Sequence, residues 1–164
     1  MTLANYIFGG GALSSRLGDR VRQKEGLSYS VASNFVASPF EPRASVSISA
    51  IYNPENRDRL SAVIAEEVKR ILEQGVTPDE LLRAKAGYLQ QRTVSRSSDA
   101  AVVSLLGSMM FEGWDFDYFR DFEKKIEDLT TEQVSQAFRK HINPKQLVIV
   151  TAGDFNGKKK PPAE

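Results

Sequence analysis

The stretch "VRQKEGLSYSV", residues 21–31, changes from a helical to an extended pattern within a few residues. Arg22 belongs to a helix-like run that ends at Gly26, and Tyr29 belongs to the strand-like run that follows. A helix and a strand joined by so tight a corner predict a domain that contains both kinds of element. The two polar side chains have two interpretations: a solvated helix end beside a half-buried strand tyrosine, or two hydrogen-bond donors that meet one ligand.

The residues downstream of this corner carry strand patterns. In "ASVSISAIY", residues 44–52, apolar side chains share one face and serines occupy most of the other. "LSYSVASNFV", residues 27–36, alternates more loosely and is followed by a linker with two prolines, which predicts an antiparallel pair. The apolar run "QLVIVTAGD", residues 146–154, predicts a third strand, central in the sheet because both faces look buried.

Most of the remaining chain has helical periodicity. Thr77 with Glu80, and Thr130 with Gln133, have the spacing of capping boxes, and Asn53 with Pro54 predicts the start of another helix. The run 101–113 predicts a buried helix in which Met109 and Met110 pack in the core and do not bind a metal.

These elements predict an α+β domain over residues 1–155, in which helices pack on one face of a mostly antiparallel sheet. Residues 156–164, rich in lysine and proline, predict a solvated tail. Three strands are few for so many helices. We therefore expect this to be a fragment of a larger chain, with further strands upstream.

Composition excludes several classes of function. With 22 basic and 21 acidic residues the net charge is +1, so nothing draws the chain strongly to nucleic acid or acidic membranes. No apolar run approaches the length of a membrane span. The chain has no cysteine and one histidine, His141, which is expected in the last turn of a helix, where a cation favours the helix dipole. A histidine-rich zinc site needs at least two histidines, so no metal site is predicted in this chain.

The segment "NYIFGGGALSSRLGDRVRQKEGLSYSV" resembles the start of the second domain, or non-zinc partner subunit, of the inverzincin metallopeptidases. This is the family of pitrilysin, insulin-degrading enzyme and mitochondrial processing peptidase. The segments "TPDELLRAKAGYLQQ" and "LVIVTAGD" follow in the family's order, whereas the zinc motif H-x-x-E-H is absent. The resemblance implies that this chain closes over a zinc-bearing half to form a chamber.

By the same resemblance, Arg22 and Tyr29 contact the bound peptide. A phenol O–H against the scissile carbonyl oxygen stabilises the transition state, and an arginine holds a substrate carbonyl. Gly9, Gly10 and Gly11 are weaker candidates for substrate contact, with a plain helix break as the alternative. Two further arginines are expected to be solvated or paired with acids such as Glu25: Arg16 and Arg20.

The resulting hypothesis is a substrate-binding domain that completes the active site of a zinc endopeptidase and is inactive alone. It needs no cofactor of its own; zinc is expected in a partner domain or subunit with H-x-x-E-H, and the substrate is a peptide. The alternative is a non-catalytic structural or assembly subunit of the same fold. We expect a bacterial protein, with the periplasm favoured over the cytoplasm.

Overall fold

The computed structural model describes residues 1–11 and 14–155, so the predicted tail 156–164 lies outside the described residues. Two strands, β1 (Ser30–Ala37) and β2 (Ala44–Ile51), form an antiparallel pair. Ser30 lies opposite Ile51 and Ala37 opposite Ala44. The two alternating runs therefore pair as their patterns predict.

The alternation along the strands separates a core face from an open face. Four side chains that face the helices are half-buried and pack against the core: Val31, Phe35, Val46 and Ile48. Their neighbours along the strands, including Ser45, Ser47 and Ser49, are exposed. Within residues 1–11 and 14–155, helices cover one face of this sheet and leave the other open, so the α+β architecture predicted from the sequence is confirmed.

Helices make up most of the domain. α1 (Thr2–Asn5) continues as a π-helical segment, Tyr6–Gly10, and a second π-helical segment spans Gly18–Lys24. The α-helices that follow β2 are α2 (Arg57–Gln74), α3 (Pro78–Val94), α4 (Asp99–Glu112), α5 (Phe116–Asp128) and α6 (Thr131–His141). Short 3-10 turns, Pro54–Asn56 and Pro144–Gln146, precede α2 and follow α6.

The helix ends follow their sequence signals. Both predicted capping boxes form, at Thr77 with Glu80 and at Thr130 with Gln133. His141 is the last residue of α6, as predicted. Asn53 precedes the first helical turn but makes no side-chain capping bond.

The core lies between α1, α2, α6 and the inner face of the sheet. The rings of Phe8 and Phe138 meet at 5.2 Å between centroids. Fully buried members include Leu3, Leu17, Val21, Val63 and Ile71. The N-terminal segment therefore packs as an internal element of the domain.

The third predicted strand does not form. Residues 147–152 have no regular secondary structure, and Val148, Ile149 and Val150 are 87%, 76% and 84% exposed. A strand requires a neighbour for its backbone groups, and β1 and β2 pair only with each other among the described residues. The prediction of a third, central strand over residues 146–154 is therefore wrong, both in its secondary structure and in its burial.

The helix predicted over 101–113 forms as α4, but it is not buried. Met109 is 6% exposed and packs as predicted, whereas Met110 is 86% exposed. Several other apolar side chains of α4 also face outward: Val103, Leu106 and Phe111. Only one side of α4 is covered by other described residues.

Candidate functional site

Arg22 and Tyr29, which lie seven positions apart in the sequence, are in direct contact. The guanidinium carbon of Arg22 is 4.0 Å from the centroid of the Tyr29 ring, in a cation–π arrangement. Tyr29 is 80% exposed. Neither side chain has a hydrogen-bond or ion-pair partner among the described residues, so the donors of both remain available to a ligand.

The corner between the two residues is built by backbone geometry. Gly26 has φ +61°, in the left-handed region that glycine adopts without steric cost. The Leu27 N–H donates to the Val21 carbonyl at 3.0 Å, and the Glu25 N–H donates to the Arg20 carbonyl at 3.1 Å. These bonds end the π-helical segment and turn the chain directly into β1.

The start of β1 is fixed from the neighbouring strand. Ser28 is buried, and its hydroxyl donates to the Ile51 carbonyl at 2.6 Å. Tyr29 follows immediately, so its backbone starts from an anchored residue although its side chain is exposed.

An ionic clamp made of Arg20, Glu25 and Arg59 holds the other side of the corner. The Glu25 carboxylate lies 2.7 Å from Arg20 and 2.8 Å from Arg59 of α2. The sequence suggested the Arg20 pair, since the two residues are close along the chain. It gave no signal for Arg59, which is 34 residues from Glu25 and meets it only through the packing of α2.

A buried carboxylate extends the clamp into the core. Glu67 of α2 is 2% exposed and lies 3.1 Å from Arg70 and 3.7 Å from Arg20. Its burial was not evident from the sequence, where it occupies an ordinary helical position. Because a buried carboxylate needs positive partners, Glu67 favours the observed placement of Arg20.

The glycine cluster at residues 9–11 has a packing explanation. A Cβ atom at Gly9 would lie 2.6 Å from the Ser33 hydroxyl oxygen and 2.8 Å from Leu17, so only glycine allows β1 to approach here. Gly9 is buried and Gly10 is exposed. A substrate contact by the cluster stays a prediction, and the structure provides the alternative reason for glycine at position 9.

Arg16 donates through its Nε and Nη2 to acceptors in α3 and just before it, whereas its buried Nη1 has no hydrogen-bond partner among the described residues. It donates to both carboxylate oxygens of Glu80, at 2.6 and 2.8 Å, and to the Gly75 carbonyl at 2.7 Å. Burial alone would raise the pKa of Glu80, but hydrogen bonds from Arg16 and Thr77 and the Arg16 charge outweigh it and lower that pKa. Arg16 is therefore paired with an acid, as expected.

The residues that could ligate a metal are scattered. In the ranges 1–11 and 14–155, no three histidine, aspartate or glutamate residues are grouped as a metal site requires. These residues do not fit a zinc site. Zinc sites in proteins are built mainly from several histidine or cysteine ligands, and this chain has one histidine and no cysteine. Within the same ranges, no helix combines the length and apolarity needed to cross a membrane.

Comparison with known sequences gives a consistent result. Residues 1–88 match the family described as Peptidase M16 inactive domain. An uncharacterized zinc protease of Streptomyces coelicolor is 35% identical over 103 residues, which cover 63% of this chain and 22% of that protein. An uncharacterized zinc protease of Mycobacterium tuberculosis is 26% identical over 155 residues, 94% of this chain and 35% of that protein. The chain thus spans about a third or less of these relatives.

Solved structures share the fold. A peptidase M16 inactive domain from Pseudomonas fluorescens superposes with a TM-score of 0.73 and 34% identity, over 86% of this chain and 33% of that chain. The periplasmic protease PqqL from Escherichia coli superposes with a TM-score of 0.64 and 20% identity, over 85% of this chain and 15% of that chain. At that lower identity the likeness concerns the fold alone.

Proposed function

Because this chain belongs to the peptidase M16 family, through its inactive domain, we propose that it binds peptide substrate and completes the active site of a zinc endopeptidase. Its partner is a zinc-bearing domain or subunit with H-x-x-E-H, and the two halves enclose the peptide. The chain supplies no metal ligand in this proposal, in keeping with its single histidine.

One observation carries the proposal: the half-buried Arg22 and the exposed Tyr29 form a pair on a corner that the fold holds in place. A tyrosine that served only packing would be buried, whereas Tyr29 is exposed. An arginine that served only solubility would not need to lie over the Tyr29 ring, as Arg22 does. The corner is fixed by Gly26 in the backbone, by the Glu25 ion pairs and by the Ser28 bond to β2. Such support keeps two donors in one geometry, which catalysis requires.

The chemistry of the pair suits a peptide bond under attack. As a tetrahedral intermediate forms, negative charge develops on the scissile carbonyl oxygen, and in this proposal the Tyr29 O–H donates to it. A donor that meets the developing oxyanion stabilises the transition state more than the ground state. Arg22, whose guanidinium lies over the ring, donates to a neighbouring carbonyl of the extended substrate and fixes its register.

The test is peptide cleavage by the purified chain combined with its zinc-bearing half. Tyr29→Phe removes one O–H and keeps the ring that supports Arg22. We expect turnover to fall by about 10²–10³-fold, the usual effect of losing an oxyanion donor. The matched control is Tyr118→Phe, which removes the O–H of a partly exposed tyrosine on α5 and should leave turnover unchanged.

Two outcomes would contradict the proposal. Unchanged turnover in Tyr29→Phe would remove the catalytic role of the hydroxyl. If the combined halves associate but cleave no peptide, the chain is a structural or assembly subunit of the same fold.

We further propose a periplasmic location in a bacterium. The support is the fold shared with the periplasmic protease PqqL and the bacterial origin of the relatives. Cell fractionation followed by immunodetection tests this location, and recovery of the chain in the cytoplasmic fraction would contradict it.

A further inference from the structure

A cavity of about 380 Å³ opens where the end of α3 meets α4 and one side of α5. Its volume falls in the range of about 300–1,000 Å³ that is typical of small-molecule sites. The charged side chains that line it are Arg92 and Arg96, and no aspartate or glutamate of the described residues lines it. The cavity therefore presents positive charge to a ligand.

The two arginines converge on one carboxylate just outside the cavity lining. The Nε of Arg92 donates to Oε1 of Glu123 at 2.9 Å, and Nη1 of Arg96 lies 2.9 Å from the same oxygen. Burial alone would raise the pKa of Glu123, but the two guanidinium groups outweigh it and lower that pKa. Glu123 is thus ionised at neutral pH, and the three groups together keep a net charge of +1.

Aromatic rings hold the Arg92 side chain in place. Its guanidinium carbon lies 5.6 Å from the ring centroid of Phe119 and 5.0 Å from that of Phe122, both in α5. Within residues 1–11 and 14–155, only the Nε of Arg92 donates a hydrogen bond, so both terminal nitrogens keep their donors for a ligand. A guanidinium fixed in this way loses little conformational freedom when it binds an anion.

Serine hydroxyls add neutral donors to the cavity wall. Ser104 and Ser108 lie one turn apart on α4, and neither hydroxyl has a hydrogen-bond partner in the part of the chain that the structure describes. The hydroxyl of Ser95, also in the lining, donates to the Arg92 carbonyl at 2.8 Å and is already used. The cavity thus offers free hydroxyl donors from α4 and guanidinium donors from the end of α3.

The remaining lining is apolar and consists of Ala101, Leu105 and Phe119. A phosphate ion alone would leave these side chains uncovered, whereas a ligand with a ring attached to its charged group would contact them. A phosphoryl group suits the donors better than a carboxylate does, because it carries a charge of about −1.5 to −2 at pH 7 and three acceptor oxygens. Guanidinium groups bind such oxygens in pairs.

We propose that this cavity binds a small phosphate monoester. Its phosphoryl group contacts Arg92, Arg96 and the free serine hydroxyls of α4, and its organic group lies against Phe119 and Leu105. The inference goes beyond the proposed function and does not depend on it, because it involves no residue of the catalytic corner proposed above.

Isothermal titration calorimetry of the purified chain with phenyl phosphate tests the site. We expect a dissociation constant below about 1 mM at low ionic strength. Inorganic phosphate, which lacks the ring, and benzoate, which carries a carboxylate on the same ring, should each bind at least about tenfold more weakly. Phenol, which lacks the charge, should give no measurable binding.

A substitution at Arg96 tests the charged part of the site. Arg96→Gln should weaken the binding of phenyl phosphate at least about tenfold, because it removes a charge-assisted donor. Arg83→Gln is the matched control. Arg83 lies on α3 outside this cavity, is likewise paired with an acid, Asp79, at 2.8 Å, and its substitution changes the net charge equally. Binding in this control should stay within about twofold of that of the unmodified chain.

A second substitution keeps both arginines. Ser104→Ala removes one free hydroxyl and should weaken the binding of phenyl phosphate by about three- to tenfold. Since Ser104 is exposed, the change should leave the melting temperature of the chain nearly unaltered. This variant decides the outcome if Arg96→Gln lowers the melting temperature.

Several results would overturn the inference. They are no binding of phenyl phosphate, equal losses in Arg96→Gln and Arg83→Gln, or unchanged binding in both Arg96→Gln and Ser104→Ala. Benzoate that binds as tightly as phenyl phosphate would assign the cavity to a carboxylate, and inorganic phosphate that does so would assign it to the free ion. None of these measurements uses peptide cleavage, so failure here is separate from failure of the proposed function.

Discussion

At the scale of single residues, the Arg22–Tyr29 contact depends on a backbone conformation at Gly26. The guanidinium lies 4.0 Å from the ring centroid because the chain turns within the five residues, 25–29, between the helical segment and β1. Gly26 makes that reversal with φ +61°, and a Cβ added there would meet no atom within 4 Å. Glycine is thus required at position 26 because of its backbone conformation. A Cβ atom there would not clash with any neighbouring atom.

Gly26→Ala is therefore expected to destabilise the domain by about 1–2 kcal/mol, the cost of the left-handed conformation for an L-residue. Gly26→Asn should cost less, since asparagine tolerates that region. The measurement is the free energy of unfolding from urea denaturation.

Gly107→Ala provides the matched control for this substitution. Gly107 also has no atom within 4 Å of an added Cβ, but it lies within α4. The same change should therefore stabilise by about 0.5–1 kcal/mol through helix propensity. Equal effects at the two positions would show that backbone conformation is not the determinant at Gly26.

At the scale of elements, α4 shows how a strongly apolar helix can lie at a surface. Its apolar residues surround the helix without the one-sided stripe that marks a surface helix, a pattern that predicts complete burial. Other described residues cover one side, where Met109 is buried, and leave Met110 and Phe111 outward. Phe111 instead contacts Phe40 of the β1–β2 loop, with 5.9 Å between ring centroids.

Adjacent methionines of α4 should consequently respond differently to truncation. Met109→Ala is expected to lower the free energy of unfolding by about 2–5 kcal/mol, because it removes a buried side chain and leaves a cavity. Met110→Ala should change it by less than about 0.5 kcal/mol. Thermal or urea unfolding of the two variants gives the comparison, and similar losses for both would contradict the placement of α4.

At the scale of the whole molecule, the Arg16–Glu80 ion pair is one of those that join distant parts of the chain. Arg16 binds Glu80 of α3 and the carbonyl of Gly75, the residue that ends α2. Glu80 also accepts the N–H of Thr77 in its capping box. The Glu80 carboxylate thus links the segment that carries Arg16 to the α2–α3 junction.

The Glu80 carboxylate should make part of the free energy of unfolding depend on pH in the acid range. Hydrogen bonds hold the folded-state pKa of Glu80 below its ordinary value of 4.5, so its contribution to stability is present above that pH. The contribution is lost as the pH falls from about 4.5 through the lower folded-state pKa. The free energy of unfolding should therefore decrease less steeply over this range in Glu80→Gln than in the unmodified chain.

Glu73→Gln serves as the comparison, since Glu73 is exposed and its contact with Lys69 is 3.8 Å long. It should retain the pH dependence of the unmodified chain. An unchanged acid dependence in Glu80→Gln would show that the Arg16 pair does not couple folding to protonation.

The elements that the sequence predicts well are those with local determinants. Capping boxes at Thr77 and Thr130 set helix starts because their bonds lie within one turn, and the period-two pattern of residues 44–52 fixes which face of β2 is buried. The Arg22–Tyr29 corner belongs to the same group, since the helix stop and the strand start are both local. Its catalytic use is still a prediction.

Only the tertiary structure decided which apolar segments are covered. Residues 147–150 and α4 have the composition of buried elements, yet burial depends on a neighbour, and the described residues leave residues 147–150 and the outer side of α4 uncovered. The long-range partners of the corner, Arg59 and the buried Glu67, were likewise set by the packing of α2. The sequence alone determined the local conformations, because these depend on residues close in the chain. It also indicated the family, through the motif in residues 5–31. The pairing of distant surfaces required the fold, because it depends on how those elements pack together.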